Sequence, residues 1–270
     1  MSIIVFTSCT ERIDIELDND RIRLVVEGNI TDISGRQYIK LSETADYFSN
    51  DAPKGVSNAQ VIINSDDESI TLVESDTISG LYNMPVSFLG VQGKDYDLNI
   101  ALETEIGGYK DYFATTQMPP LSDDIDSIAV EWMPDFNGWV VRLFAKDPAR
   151  EDFYMFNGIN NGVLLTDSIH KVNISDDRLF NGNYTNGSIV LFFDEEELVP
   201  GDIFTLVLSN ITKGYASFVS EVQTEIQPNN PIFGGPPANV KSNINNEAAG
   251  YFTAFPSAFT SAVVKNKPAE

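Results

Sequence analysis

One cysteine, one histidine and few basic residues bound what this chain of 270 residues can do. With Cys9 alone, no internal disulfide can form, so stability has to come from core packing. With His170 alone and no second cysteine, multi-histidine zinc sites are excluded and a Ser-His-Asp triad is disfavoured. His170 stands between Ile169 and Lys171 and is expected at a surface or turn. No G-x-S-x-G sequence, P-loop or D-x-D-x-D-G calcium loop occurs. No run approaches the roughly 18 apolar residues of a membrane-spanning helix. Lysine and arginine number 17 against 40 aspartates and glutamates, a net charge of −23. That balance opposes nucleic-acid binding and adsorption to anionic lipid headgroups. It favours solubility and cation binding. Together these absences argue against an ordinary enzyme.

What is present is β-sheet pattern. Short apolar, β-branched and aromatic runs recur between Gly, Asn, Asp and Pro. In the first half they are Ile22–Glu27, Tyr38–Leu41, Ala59–Ile63, Ile70–Val73, Gly80–Asn83 and Tyr96–Leu102. Tyr96, Leu98, Ile100 and Leu102 alternate cleanly and share one face. Asp66-Asp67-Glu68 and Ile106-Gly107-Gly108-Tyr109 read as hairpin turns. Met118-Pro119-Pro120, followed by acidic residues, reads as a boundary. Beyond it come Ser127–Trp132, Trp139–Phe144, Phe153–Phe156, Ser188–Phe193 and Ile203–Leu208. One segment departs from period 2: Tyr215, Phe218, Val219, Val222 and Ile226 form a helical stripe, giving one short helix near 214–227, packed on the second sandwich. Gly250–Phe255 reads as a final strand.

Cys9 closes Ile3-Ile4-Val5-Phe6-Thr7-Ser8, apolar residues followed by small polar ones, as at the end of a bacterial lipoprotein signal. Acylation of Cys9 is the expectation, with Thr10–Asp20 as an acidic tether. The division expected is 1–20 signal remnant and tether, 21–120 N-terminal sandwich, and 121–270 C-terminal sandwich with the helix and an extended tail.

Candidate contact residues are aromatic. Tyr47 and Phe48 lie in a polar loop, and Trp132, Phe136 and Trp139 cluster around one turn. For the two tryptophans, closure of the sandwich core is the favoured reading. Tyr251, Phe252, Phe255 and Phe259 mark an aromatic C-terminal segment, either core or a contact surface. Candidate metal ligands are Asp123, Asp124 and Asp126, the run from Asp194 and Glu195 to Glu197, and Asp176 with Asp177. Such carboxylates suit a structural Ca²⁺, although solvated loops have the same composition. Paired carboxylates could also serve a hydrolase, the weakest of the functional readings.

Several stretches share one further pattern. They are Arg23–Asp32, Leu41–Phe48, Gly55–Val61, Met118–Pro120, Ile125–Ile128, Asp176–Gly182, Pro236–Ile244 and Gly250–Phe252. In this order they resemble a Bacteroidetes outer-membrane lipoprotein family, domain of unknown function 4249. The resemblance runs from Cys9 to about Phe255. It implies a lipid-anchored protein at the outer membrane or cell surface, accessory to a TonB-dependent receptor in nutrient uptake. It brings no catalytic residues. It also implies a transthyretin-like or Ig-like first domain, beside a second of fibronectin III or Ig-like type. Asp76-Thr77-Ile78, Asp126-Ser127-Ile128 and Asp167-Ser168-Ile169 resemble the O-glycosylation sequon of exported proteins in that phylum. The fold class expected is mostly β, with two sandwiches. The alternative function is a structural or adhesive surface protein whose sandwiches act as spacers.

Overall fold

The computed structural model describes residues 22–44, 52–66, 68–122, 125–226 and 240–268. Cys9, Tyr47, Phe48, Asp123 and Asp124 lie outside the described residues. Among the described residues the protein is mostly β with one α-helix, in keeping with the alternation.

The first sandwich starts with β1 (Leu24–Thr31), β2 (Tyr38–Glu43), β3 (Gln60–Ser65), β4 (Glu68–Thr71), β5 (Val73–Glu74), β6 (Leu81–Asn83), β7 (Asp95–Ile106) and β8 (Tyr109–Gln117). β7 carries the alternation read in the sequence: Tyr96, Leu98, Ile100 and Leu102 are all buried. β7 and β8 are joined at Gly107-Gly108, both at positive φ, the conformation a tight hairpin needs. One sheet runs β4-β3-β7-β8. Its apolar face meets Leu24, Val26, Ile39 and Leu41 of the opposing sheet, closing the first core.

The second sandwich contains β9 (Ile125–Met133), β10 (Gly138–Ala145), β11 (Phe153–Asn160), β12 (Val163–Leu164), β13 (Asn173–Asp176), β14 (Ser188–Asp194) and β15 (Ile203–Ile211). α1 (Lys213–Ile226), β16 (Ala249–Phe255) and β17 (Ser257–Val263) complete the chain order. One sheet runs β14-β10-β9 and the other β12-β11-β15-β17, with β13 also paired to β11. Trp139, Phe156, Phe204 and Leu206 fill the core between them.

The last two strands divide between the sandwiches. β16 pairs in parallel with β1, Val25 opposite Ala249 through Thr31 opposite Phe255. It completes the sheet β16-β1-β2-β6-β5, and Phe252 and Ala254 enter the first core. After Pro256 alone, β17 pairs antiparallel with β15 in the second sandwich. Residues 121–270 therefore do not make one separate unit, contrary to the sequence division. The alternation of Gly250–Phe255 specifies a strand but not its partner, because pairing is a long-range choice. Ser257 N–H donates to Asp32 Oδ1 at 3.0 Å where the chain passes from one sandwich to the other.

The asparagine-rich stretch before β16 covers an edge. Asn245 Oδ1 accepts from Phe113 N–H at 2.7 Å, and Asn245 N–H donates to Phe113 O at 3.0 Å. Asn243 Nδ2 donates to Phe252 O at 2.7 Å and Thr115 O at 3.2 Å. The bonds to Phe113 and Thr115 occupy backbone groups of β8 that an open edge would offer to another chain.

Candidate functional site

The outer face of the β1 sheet is as structured as its inner one. Because side chains alternate, Val25, Glu27 and Asn29 of β1 face away from the first core, as do Tyr251, Thr253 and Phe255 of the paired β16. Tyr38 of β2, opposite Asn29, extends this face. α1 lies across it.

α1 begins at a threonine cap: Thr212 Oγ1 accepts from Tyr215 N–H at 3.2 Å. Of the stripe read from the sequence, Val219 is fully buried and Tyr215, Phe218 and Val222 are half-buried, whereas Ile226 at the end of the helix is exposed and Ala216, outside the stripe, is buried. The stripe packs on both sandwiches. Tyr215 and Ala216 join Phe153, Met155 and Ile174 of the second sandwich and Phe255 of β16 in a small junction core. The helix is tied from the other side by Gln223 Nε2, which donates to Ile169 O and Val172 O, each at 2.8 Å.

Between helix and sheet a groove of about 870 Å³ opens, within the range of small-molecule sites. Five aromatic residues, Tyr38, Tyr215, Phe218, Tyr251 and Phe255, stand among its aliphatic and polar lining. Tyr215 stacks on Phe218, with centroids 6.1 Å apart and planes at 15°. It lies nearly parallel to Phe255, at 6.4 Å and 10°. Tyr251 leans on Tyr215 at 5.4 Å and on Phe218 at 5.0 Å. A Cβ at Gly214 would lie 2.5 Å from the Tyr251 hydroxyl, so this glycine lets the ring sit close to the helix start.

The phenols remain neutral. Burial pushes Tyr215 up to about 12, with Tyr38 and Tyr251 adding to it. Burial likewise raises Tyr38, helped by Glu27, and raises Tyr251 against a lowering hydrogen bond with Thr212. At neutral pH the groove therefore offers ring faces and uncharged phenols. Charge is confined to Arg23, Glu27, Asp167 and Glu225. Glu27 is paired with Lys40 at 3.0 Å and Asp167 with Lys171 at 3.0 Å. Such a surface suits stacking and hydrogen bonding rather than proton transfer.

The residues singled out from sequence are dispersed. Trp139 is fully buried in the second core and offers no face to a ligand, which corrects its reading as a contact residue. Trp132 packs edge-on to it at 5.4 Å and is covered by Lys267, whose Nζ lies 3.6 Å from the ring centroid. Phe136 is exposed and meets Phe192 at 5.6 Å, far along the chain from the groove residues. Asp126 accepts from Tyr184 O–H at 2.7 Å. Glu195 forms an ion pair with Lys267, and Asp194 N–H donates to Glu197 Oε2 at 2.8 Å. Neither Asp126 nor Asp194 and Glu195 belongs to a three-carboxylate cluster among the described residues. His170 is exposed, its Nε2 3.5 Å from Ser168 Oγ. Tyr251 and Phe255, flagged as core or contact, line the groove. The contribution of Tyr215 and Phe218 was hidden in the helical stripe, which reads as ordinary core.

The described residues form two sandwich-like β units with a groove between α1 and the β1 sheet. The chain belongs to the family defined by the domain of unknown function DUF4249, whose model matches residues 10–260. No curated protein matches it. A solved structure titled "Cytokine receptor complex - Crystal form 1A" is similar at 9% identity, covering 90% of this chain and 97% of that one. Its TM-score is 0.25, so this likeness carries no argument.

Proposed function

We propose that this protein is an envelope binding protein, lipid-anchored through Cys9 at the outer membrane or cell surface and accessory to a TonB-dependent receptor in nutrient uptake. The observation that carries the binding reading is the aromatic groove between α1 and the β1 sheet. Its volume, its stacked rings and its neutral phenols favour an amphipathic ligand bearing a ring. The ordered stretches that resemble Bacteroidetes lipoproteins support the address and the receptor partner.

An apolar fluorescent probe, anilinonaphthalene sulfonate, tests the groove. The native full chain is expected to bind it at one saturable site. Phe218→Asp places a charge on the groove wall and is expected to weaken binding at least about tenfold, with the far-ultraviolet dichroism unchanged. Phe218 is only half-buried, so the fold tolerates the change. No saturable site in the native chain, or equal binding by the variant, would contradict the groove reading.

A further inference from the structure

Away from the groove, three carboxylates converge at the end of the second sandwich that faces the inter-domain linker. Asp147 follows β10, Asp152 precedes β11 and Asp177 follows β13. They are 3%, 5% and 1% exposed. One oxygen from each lies within 4.8 Å of the others. We propose that Asp147, Asp152 and Asp177 bind a calcium ion that fastens the linker to the second sandwich.

Charge is the first argument. Ionised, the cluster carries three negative charges, and the cation bonded to it among the described residues is Arg150, whose Nε donates to Asp152 Oδ1 at 2.9 Å. Lys146 is turned aside, its Nζ donating to Gly182 O at 2.7 Å. Two buried negative charges are left over, and a divalent cation balances them. Uncompensated buried charge is too costly to persist, so the site takes up either a metal or protons.

The second argument is an orphan oxygen. Asp152 Oδ1 holds Arg150 and receives Asn210 Nδ2 at 3.4 Å, while Oδ2 is buried with no hydrogen-bond partner. A buried acceptor without a donor is expensive, and this one belongs to the converging cluster. The other carboxylates are oriented. Asp147 Oδ2 accepts from Gly182 N–H at 3.0 Å, and its Oδ1 accepts from Tyr154 O–H at 2.5 Å. Asp177 Oδ2 accepts from Asp152 N–H at 3.0 Å.

Oxygen-only ligands select a hard cation. Ligands at 2.3–2.6 Å on opposite sides of Ca²⁺ stand roughly 4.6–5.2 Å apart, which admits this spacing. Mg²⁺ holds a smaller shell and keeps several waters, which a pocket this buried accommodates poorly.

The consequence reaches the domain junction. Arg150, held by Asp152, donates to Pro120 O at 3.1 Å and Leu121 O at 3.2 Å. Ser122 N–H donates to Asn210 Oδ1 at 3.0 Å, and Ser122 Oγ is 3.0 Å from Tyr154 Oη. The residues around the ion are those that hold the linker, so its occupancy stiffens the join between the sandwiches.

The test is calorimetric titration of the EDTA-treated full chain with CaCl₂, with thermal unfolding in parallel. One ion per chain is expected, raising Tm by roughly 5–10 °C at a hundredfold excess over Kd. Asp152→Asn is expected to lower the affinity at least about tenfold while leaving the metal-free Tm equal or higher. No binding at 1 mM CaCl₂, the mark of a site filled by protons, would overturn the proposal, as would undiminished binding by Asp152→Asn. Should that variant not fold, Tb³⁺ replaces Ca²⁺. Its sensitised emission is expected to fall in Tyr154→Phe, and emission equal to the native chain's would place the ion elsewhere and overturn the proposal.

Discussion

Replacing Gly250 with valine is expected to destabilise the protein by about 3 kcal/mol or more, read as a fall in the denaturant midpoint. The residue sits in β16 at a φ of +90°, where an L side chain is strained. A Cβ there would lie 2.1 Å from Val26 O and 2.8 Å from Val26 C. Those atoms are backbone of the neighbouring strand and cannot swing aside. Relief requires β16 to part from β1. That would expose the Phe252 and Ala254 side of the first core and pull Tyr251 and Phe255 from the groove. Gly93→Ala is the control. Its φ is +81°, but nothing lies within 4 Å of the added Cβ, so it is expected to cost only about 1 kcal/mol. Equal effects of the two substitutions would mean that the parallel β1–β16 pairing is not what stabilises the first sandwich.

Replacing Cys9 with serine is expected to move the protein from the membrane pellet to the soluble fraction. Among the described residues no helix is long and apolar enough to cross a membrane, and the net charge of −23 works against anionic headgroups. The anchoring proposed therefore rests on acyl chains. Each buried CH₂ is worth about 0.8 kcal/mol, so one chain holds marginally and two or more hold firmly. Removing the thiol removes all of them, and the partition changes almost completely rather than by a fraction. Retention of the serine variant in the pellet after a high-salt wash would refute the lipid anchor.

Local structure was readable where one face of an element is buried. Tyr96 to Leu102 alternates because β7 lies over the first core, and Tyr215 to Val222 repeats at helical spacing because α1 is covered on one side. β17 was missed: Ser257–Val263 is built of serine, alanine and threonine around one phenylalanine and a closing valine, half-buried and exposed in turn, so no strong apolar period marks it. The partner of β16 was also out of reach. Phe252 and Phe255 look alike in sequence, yet one enters the first core and the other the junction core, because they lie on opposite faces of a strand.

The groove and the carboxylate cluster share this limit. Tyr215, Phe218 and Tyr251 come together only when the helix crosses the β1 sheet. Asp177 was flagged beside Asp176, but Asp147 and Asp152 flank a short loop of ordinary composition, and three strand ends are needed to join them. Asp194 and Glu195, the more conspicuous acidic run, lead instead to Lys267, which pairs with Glu195, and to the Glu197 carboxylate, which accepts from Asp194 N–H. Density of charge along the chain was the visible signal, and burial was the informative one.

The most direct test of the binding role is capture from detergent-solubilised outer membranes, with the tagged full chain and its Phe218→Asp variant as paired baits. The native chain is expected to retain a TonB-dependent β-barrel receptor, and the variant, altered only in the ligand groove, to retain it at equal folded concentration. Failure of the native chain to retain any such receptor would contradict the account.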